Sequence, residues 1–264
     1  MQFQKKKILI TVKAYPNPSK KYGETVCCAG VDLSNSQLIR LYPIPYRDLE
    51  YKQQFKKYTV IEVDCAPPGD DKRPESFHVN VDTIQVCEWF DTKTDKKWGR
   101  RKDIVLKVPV KSMCQVLKDA DEKDLSLGLI KPERISFEWT KQSQSESEQK
   151  SRESCYAQLT FFDRKKKTIE DIHYSFYYQF YCAGEANCPG HKLSIIDWEV
   201  GQAYREWRTK YKDEKVLMEK IKQRWVEIAD TAKKDVYFYV GNLKRFRQTF
   251  MVLGVFYPPR NGKS

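Results

Sequence analysis

Histidine is nearly missing from this chain: His78, His173 and His191 are the only three in 264 residues. A Ser/His/Asp or Cys/His machine would have to use one of them, and nothing in the local sequence marks any of the three as a base. The chain contains no Gly-x-x-x-x-Gly-Lys-Ser/Thr loop, no Gly-x-Gly-x-x-Gly and no Gly-x-Ser-x-Gly. These absences remove the motif-based case for a P-loop, a dinucleotide fold or an α/β-hydrolase elbow. No apolar run approaches the roughly 18–20 residues that span a bilayer. The basic start Lys5-Lys6-Lys7 is followed by Ile8–Val12, which is too short for a signal-peptide core. The expectation is a soluble, cytoplasmic protein. The length suits one large domain or two small ones, and 40% hydrophobic residues with 13% aromatics can fill a core.

Cysteine, by contrast, is plentiful, with eight residues. In a reducing compartment these are free or metal-bound thiols rather than disulfides. Cys27, Cys28, Cys65, Cys87 and Cys114 lie in apolar, strand-like surroundings and read as small buried hydrophobes. Cys182 and Cys188 differ. With His191 they form Cys-x5-Cys-x2-His within ten residues of loop-like sequence. Thiolate sulfur and imidazole nitrogen are the ligands that zinc favours, usually four in a tetrahedron. Gly184 and Gly190 supply the backbone freedom such a loop needs. The fourth ligand stays open at this point: Cys155 is the leading candidate, His173 another, and a water would make the site catalytic rather than structural.

Positive charge is in excess and unevenly placed. The net charge is +12. The window from Lys93 to Lys111 holds eight basic residues against Asp95 and Asp103, which supplies half of that excess. A second cluster is Arg164-Lys165-Lys166-Lys167, and a third lies near the C-terminus at Lys244, Arg245, Arg247, Arg260 and Lys263. Clustered cations favour polyanions, although a solvated surface is the plain alternative. Nucleic acid is the expected partner. Lys96, Lys97, Arg100, Arg101, Lys102 and residues Arg164, Lys165, Lys166 and Lys167 are the candidate phosphate contacts, with Trp98 a candidate stacking residue.

The pattern along the chain predicts an α+β fold. Strands are expected at Lys7–Tyr15, Glu24–Leu33, Gln37–Ile44, Tyr58–Cys65 and Thr83–Phe90, which suggests a small barrel or strongly curved sheet. A short helix is expected over Val110–Asp119, with Ser112 near its start. Residues 141–154 contain no apolar side chain and read as an exposed linker between a β-rich domain at 1–140 and an α+β domain at 155–264. In the second domain, strands at Cys155–Phe162 and His173–Cys182 are expected to pair. Tyr174, Phe176, Tyr178 and Phe180 share one face of the latter strand. Ile196, Val200, Ala203, Trp207 and Tyr211 mark one helix, and Glu214–Asp230 a second amphipathic one. Two strands, Val236–Val240 and Thr249–Tyr257, close the chain.

Paired carboxylates raise an enzymatic alternative. Asp197 and Glu199 could bind Mg²⁺ or exchange protons, but Ser194-x-x-Asp197 matches a helix capping box. On a helix, positions 197 and 199 would point about 200° apart. Asp70-Asp71-Lys72, with Glu62 and Asp64, weakly matches a nuclease pattern. A metal-dependent hydrolase or nuclease is thus one alternative to nucleic-acid binding with a structural zinc site, and an aromatic-rich docking adaptor is another.

Several segments resemble an uncharacterised family of bacterial proteins: Val12–Pro16, Ile39–Ile44, the Cys188-Pro189-Gly190-His191…Ile196-Asp197-Trp198-Glu199 block, and Val252–Pro258. The resemblance spans nearly the whole chain. It implies a bacterial cytoplasmic setting and places the 182–199 block within the family pattern. It implies no activity and no ligand identity.

Overall fold

The computed structural model describes residues 2–19, 23–142 and 172–260. The N-terminal part contains seven strands: β1 (Gln4–Lys13), β2 (Asn17–Ser19), β3 (Gly23–Asp32), β4 (Gln37–Ile44), β5 (Thr59–Ala66), β6 (Ser76–Val79) and β7 (Gln85–Trp89). They follow the order β1-β3-β4-β6-β5-β7, and β1 also pairs β5. That last ladder closes five strands into a barrel, so the predicted curved sheet is a closed one, and closure removes the exposed edges.

A second sheet runs β10-β11-β12-β14-β13-β9-β8. Its strands are β8 (Val110–Lys111), β9 (Leu127–Ile130), β10 (Pro132–Lys141), β11 (Tyr174–Cys182), β12 (His191–Ile195), β13 (Tyr237–Leu243) and β14 (Phe246–Phe256). The helices among the described residues are α1 (Gly99–Val105), α2 (Met113–Lys123), α3 (Trp198–Lys210) and α4 (Glu214–Ile228). Ser112 caps α2 by accepting the Gln115 N–H at 3.0 Å, which moves the predicted helix three residues along the chain.

The molecule is layered, and side-chain alternation explains how. In β1, Ile8 and Ile10 point into the barrel with Val26, Leu41 and Ile61. Leu9, between them, points outward onto Tyr237, Tyr239 and Leu253 of the second sheet. The opposite face of that sheet, through Phe238, Val240, Tyr178 and Phe180, packs on Met113, Leu217, Ile221 and Trp225 of the helices. A strand buried on both faces reads as a continuous apolar run, which is why Ile8–Val12 carries no alternation. The even-numbered aromatics of β11 are core, as their shared face predicted.

A buried polar clamp joins barrel and sheet. The Arg40 guanidinium donates to Ser126 Oγ at 2.7 Å and to the carbonyls of Ser126 and Asn242 at 3.1 and 3.3 Å. Glu75 accepts the Ser126 N–H at 2.8 Å.

Sheet membership divides the chain between Trp89 and Val110 rather than at 141–154, because β10 hydrogen-bonds β11 along its length. An apolar-free composition reports what a segment cannot bury. It does not report which sheet its neighbours join. The two edges of β11 are taken by β10 and β12. The expected partner strand Cys155–Phe162 lies outside the described residues, as do Arg164 to Lys167.

Candidate functional site

Three local features bring Cys182, Cys188 and His191 together. Cys182 ends β11, His191 begins β12, and the connection between them bends at two glycines with positive φ, Gly184 (75°) and Gly190 (83°). At Gly190 a Cβ would also press on the Tyr181 ring at 3.2 Å. The fourth donor is Cys114, in the first turn of α2. The ligand atoms of Cys114, Cys182, Cys188 and His191 all lie within 4.8 Å of one another. His191 Nε2 is 3.4 Å from Cys114 Sγ, 3.4 Å from Cys182 Sγ and 3.3 Å from Cys188 Sγ.

Hydrogen bonding alone does not account for this convergence. One imidazole nitrogen carries at most one proton, so it cannot satisfy three thiols. A tetrahedral ion with metal–sulfur bonds of about 2.3 Å and a metal–nitrogen bond of about 2.0–2.1 Å sets S···N near roughly 3.6 Å and S···S near roughly 3.8 Å. The three S···N distances of 3.3–3.4 Å are close to that value, and all four donor atoms lie within 4.8 Å of one another. The group could hold a zinc-like ion with all four positions filled by protein.

Backbone N–H groups point at two of the sulfurs. The Met113 N–H donates to Cys182 Sγ at 3.1 Å, and the Cys182 N–H to Cys188 Sγ at 3.3 Å. Cys114 sits at the positive end of α2. Burial, reinforced by the neighbouring sulfurs of Cys182 and Cys188, pushes the Cys114 thiol up to about 12. Burial also raises Cys182. At Cys188 burial acts in the same direction, but backbone N–H groups of Cys182 and Gly190 overcome it and bring the thiol down. Burial lowers His191, which favours the neutral, ligand-competent ring. Three sulfurs this close repel one another as anions, and a central cation reverses that repulsion.

Sequence reasoning supplied three of these four residues and missed Cys114, reading it as a core thiol. Cys155 lies outside the described residues. The sequence puts Ser112 near a helix start, but the expectation stopped short of its consequence, Cys114 in the helix N-terminal turn. Of the other cysteines read as buried, Cys28 and Cys65 are in the barrel core, Cys27 is half-buried, and Cys87 is exposed on β7.

The cations of the basic window are only partly free of ion pairs among the described residues. Lys96 and Lys97 are exposed, Lys102 is half-buried, and none of the three makes an ion pair among the described residues. Arg100 is exposed but forks onto Glu88 at 2.6 and 2.8 Å. Arg101 is buried, 3.2 Å from Asp95 and bonded to the Phe90 carbonyl, with its guanidinium 4.6 Å from the ring centres of Tyr58 and Trp98. It braces the fold, because an arginine in that position would be costly without its carboxylate. Near the C-terminus, Lys244 and Arg247 are engaged by Asp70 and Asp124 at 2.7 Å each.

The carboxylates at 197 and 199 also differ from expectation. Asp197, not Ser194, caps α3, accepting the Glu199 N–H at 3.1 Å. Ser194 lies in β12, paired with Tyr177 and Met251. Because an N-cap is extended rather than helical, both carboxylates reach one cation: Lys57 Nζ is 2.7 Å from Asp197 and 3.2 Å from Glu199. Burial, with Glu199 adding repulsion against the pull of Lys57, raises Asp197 to about 6. The two carboxylates together hold Lys57 protonated despite its burial. The nuclease-like Asp71 is taken by Arg73, whose guanidinium bonds both of its oxygens. Among the described residues no helix is long and apolar enough to cross a membrane.

Residues 4–107 match the family described as Domain of unknown function (DUF8758), and residues 109–264 match Domain of unknown function (DUF8757). The two matches meet near residue 108, where sheet membership changes. No curated protein matches the chain. The second match covers more than half of the sequence, and the chain belongs to that uncharacterised family.

Proposed function

For this member of an uncharacterised family, we propose a cytoplasmic nucleic-acid-binding protein in which the Cys114/Cys182/Cys188/His191 group holds a structural zinc ion. The zinc reading rests on the convergence of three sulfurs on one Nε2. Soft thiolates select zinc over magnesium or calcium, and four protein donors are the pattern of structural rather than catalytic sites. The metal-dependent hydrolase reading loses support for that reason.

The nucleic-acid reading rests on the turn at 96–98. Lys97 and Trp98 are consecutive non-glycine residues in left-handed backbone, with φ of 55° and 60°. Such residues cost on the order of 1–3 kcal/mol each, and they gather where a site demands them. Here the turn leaves Lys96 and Lys97 exposed to solvent while the Trp98 indole lies against Tyr58, Phe256 and Tyr257. The result is free cations beside an aromatic cluster.

Fluorescence anisotropy with labelled single-stranded and duplex oligonucleotides across a salt series tests this reading. Binding should weaken linearly in log salt. Lys96→Ala with Lys97→Ala should reduce the slope by roughly 1.4–1.8, about 0.7–0.9 for each phosphate no longer neutralised. Absence of binding at low salt, or binding indifferent to salt, would overturn it. Elemental analysis should find one zinc per chain, and finding none would remove the metal.

A further inference from the structure

A cleft of about 360 Å³ opens between the barrel and the second sheet, away from the cysteine cluster. Its size falls in the range of small-ligand sites. Trp89, Trp98 and Trp198 line it, three of the six tryptophans in the chain. So do Lys13, Lys56, Lys57 and Arg101, against one carboxylate, Glu199.

These cations are not equivalent. Lys57 and Arg101 are already matched by Asp197 and Asp95. Lys13 and Lys56 make no ion pair among the described residues. Lys13 is half-buried. It donates to the Phe55 carbonyl at 3.2 Å and lies 4.0 Å from the Tyr46 ring centre and 5.1 Å from that of Trp198. Those contacts leave it N–H donors to spare and no ion-pair partner among the described residues, with Asp197 and Glu199 acting on it only at longer range. Lys56 Nζ lies 4.2 Å over the ring of Trp89, which is 45% exposed at the cleft mouth. An unmatched cation held over an accessible indole presents the two halves of a recognisable ligand: a flat π-face to stack and an anion to neutralise. Glu199, 51% exposed in its side chain, adds an acceptor on the same wall.

We propose that this cleft binds a nucleoside phosphate, with its base stacked on Trp89, its phosphate between Lys13 and Lys56, and an exocyclic amino group of the base donating to Glu199. This deepens the nucleic-acid reading and rests on it for the choice of ligand: the nucleotide is either free or one unstacked residue of a strand. A carboxylate acceptor favours bases that carry an amino group, as in readout of cytosine N4, so cytidine is preferred over uridine.

The test is calorimetric titration of the full chain with CMP, UMP, inorganic phosphate and a single-stranded oligonucleotide. CMP should bind more tightly than UMP, and both more tightly than phosphate. Lys13→Met and Trp89→Ala should each weaken CMP about tenfold, from removal of one charge-assisted bond or one stack. Glu199→Gln should abolish the preference for CMP over UMP. Thermal melts of each variant establish that it is folded, Trp89→Ala included, since it removes a half-exposed ring and its N–H bond to the Lys57 carbonyl at 3.1 Å. Phosphate binding as tightly as CMP, or CMP binding unchanged in both variants, overturns the proposal. If the oligonucleotide binds with salt dependence while no mononucleotide binds and neither variant weakens the strand, the cleft assignment falls and the proposed function stands. If mononucleotides bind and no oligonucleotide does, the cleft assignment stands and the nucleic-acid reading falls.

Discussion

The cysteine corner and the inter-sheet cleft each collect groups of one kind. At the corner, four electron-pair donors face one another within 4.8 Å with no cation among the residues. In the cleft, Lys13 and Lys56 line the opening and make no ion pair among the described residues, while the one carboxylate beside them, Glu199, is paired with Lys57. The first arrangement is closed, since protein fills every position around its centre. The second is open, and its cations meet solvent-accessible rings. Unsatisfied groups show the charge of what completes them, and closure separates a staple from a binding site. The buried Lys57–Asp197 pair is the control between them: charged, yet matched within the protein.

This contrast can be broken at four points. The largest effect should come from the corner. Cys188→Ser, or exhaustive chelation, should release the metal and lower Tm by roughly 10–20 °C, which corresponds to about 5 kcal/mol in a chain of this size. A Tm unmoved by metal loss would mean the site staples nothing.

Lys57→Met should cost about 3–5 kcal/mol, because it strands the buried Asp197 carboxylate. The pH dependence has a definite sign. The folded-state value of Asp197 is raised, to about 6 against an ordinary 3.8. Its contribution is therefore most favourable below 3.8 and is lost as pH rises through about 6. Without Lys57 the carboxyl moves higher still, so the deficit of the variant should be smallest below about pH 6 and grow as pH rises above it. Denaturant titrations at several pH values would show it, and a pH-independent deficit would contradict the assignment.

Gly190→Ala should cost about 1–2 kcal/mol through its positive φ and the Tyr181 ring, and should weaken metal retention. Competition with a colorimetric chelator would measure that loss. Lys13→Met should be nearly neutral, within about 1 kcal/mol. Burial already disfavours the charged lysine and lowers its proton affinity, so the variant gives up mainly the cation–π contacts, and no paired carboxylate is stranded. A large destabilisation by Lys13→Met would make that lysine structural and erase the difference from Lys57.

How much of this was legible in the sequence depended on distance along the chain. Cys182, Cys188 and His191 lie within ten residues, so their spacing revealed a shared ion. Cys114 is 77 residues from His191, and no local pattern links them. The barrel strands were legible because β-branched runs ended by turns report local backbone preference. The closing β1–β5 ladder was not, since it joins residues as far apart as Gln4 and Cys65. The charge count correctly marked residues 93–111 as basic. It could not distinguish Lys96, free in solvent, from Arg101, which is held by Asp95 and Phe90.

The sequence by itself determined composition, strand and helix periodicity, the glycine-hinged loop and three metal-ligand candidates. All of these depend on residues within one or two turns of each other. The tertiary structure decided the fourth ligand, the convergence of Asp197 and Glu199 on Lys57, and the existence of a cleft. Each of these requires segments far apart in the chain to meet. Burial, which sets the cost of an unmatched charge, exists only once they have met.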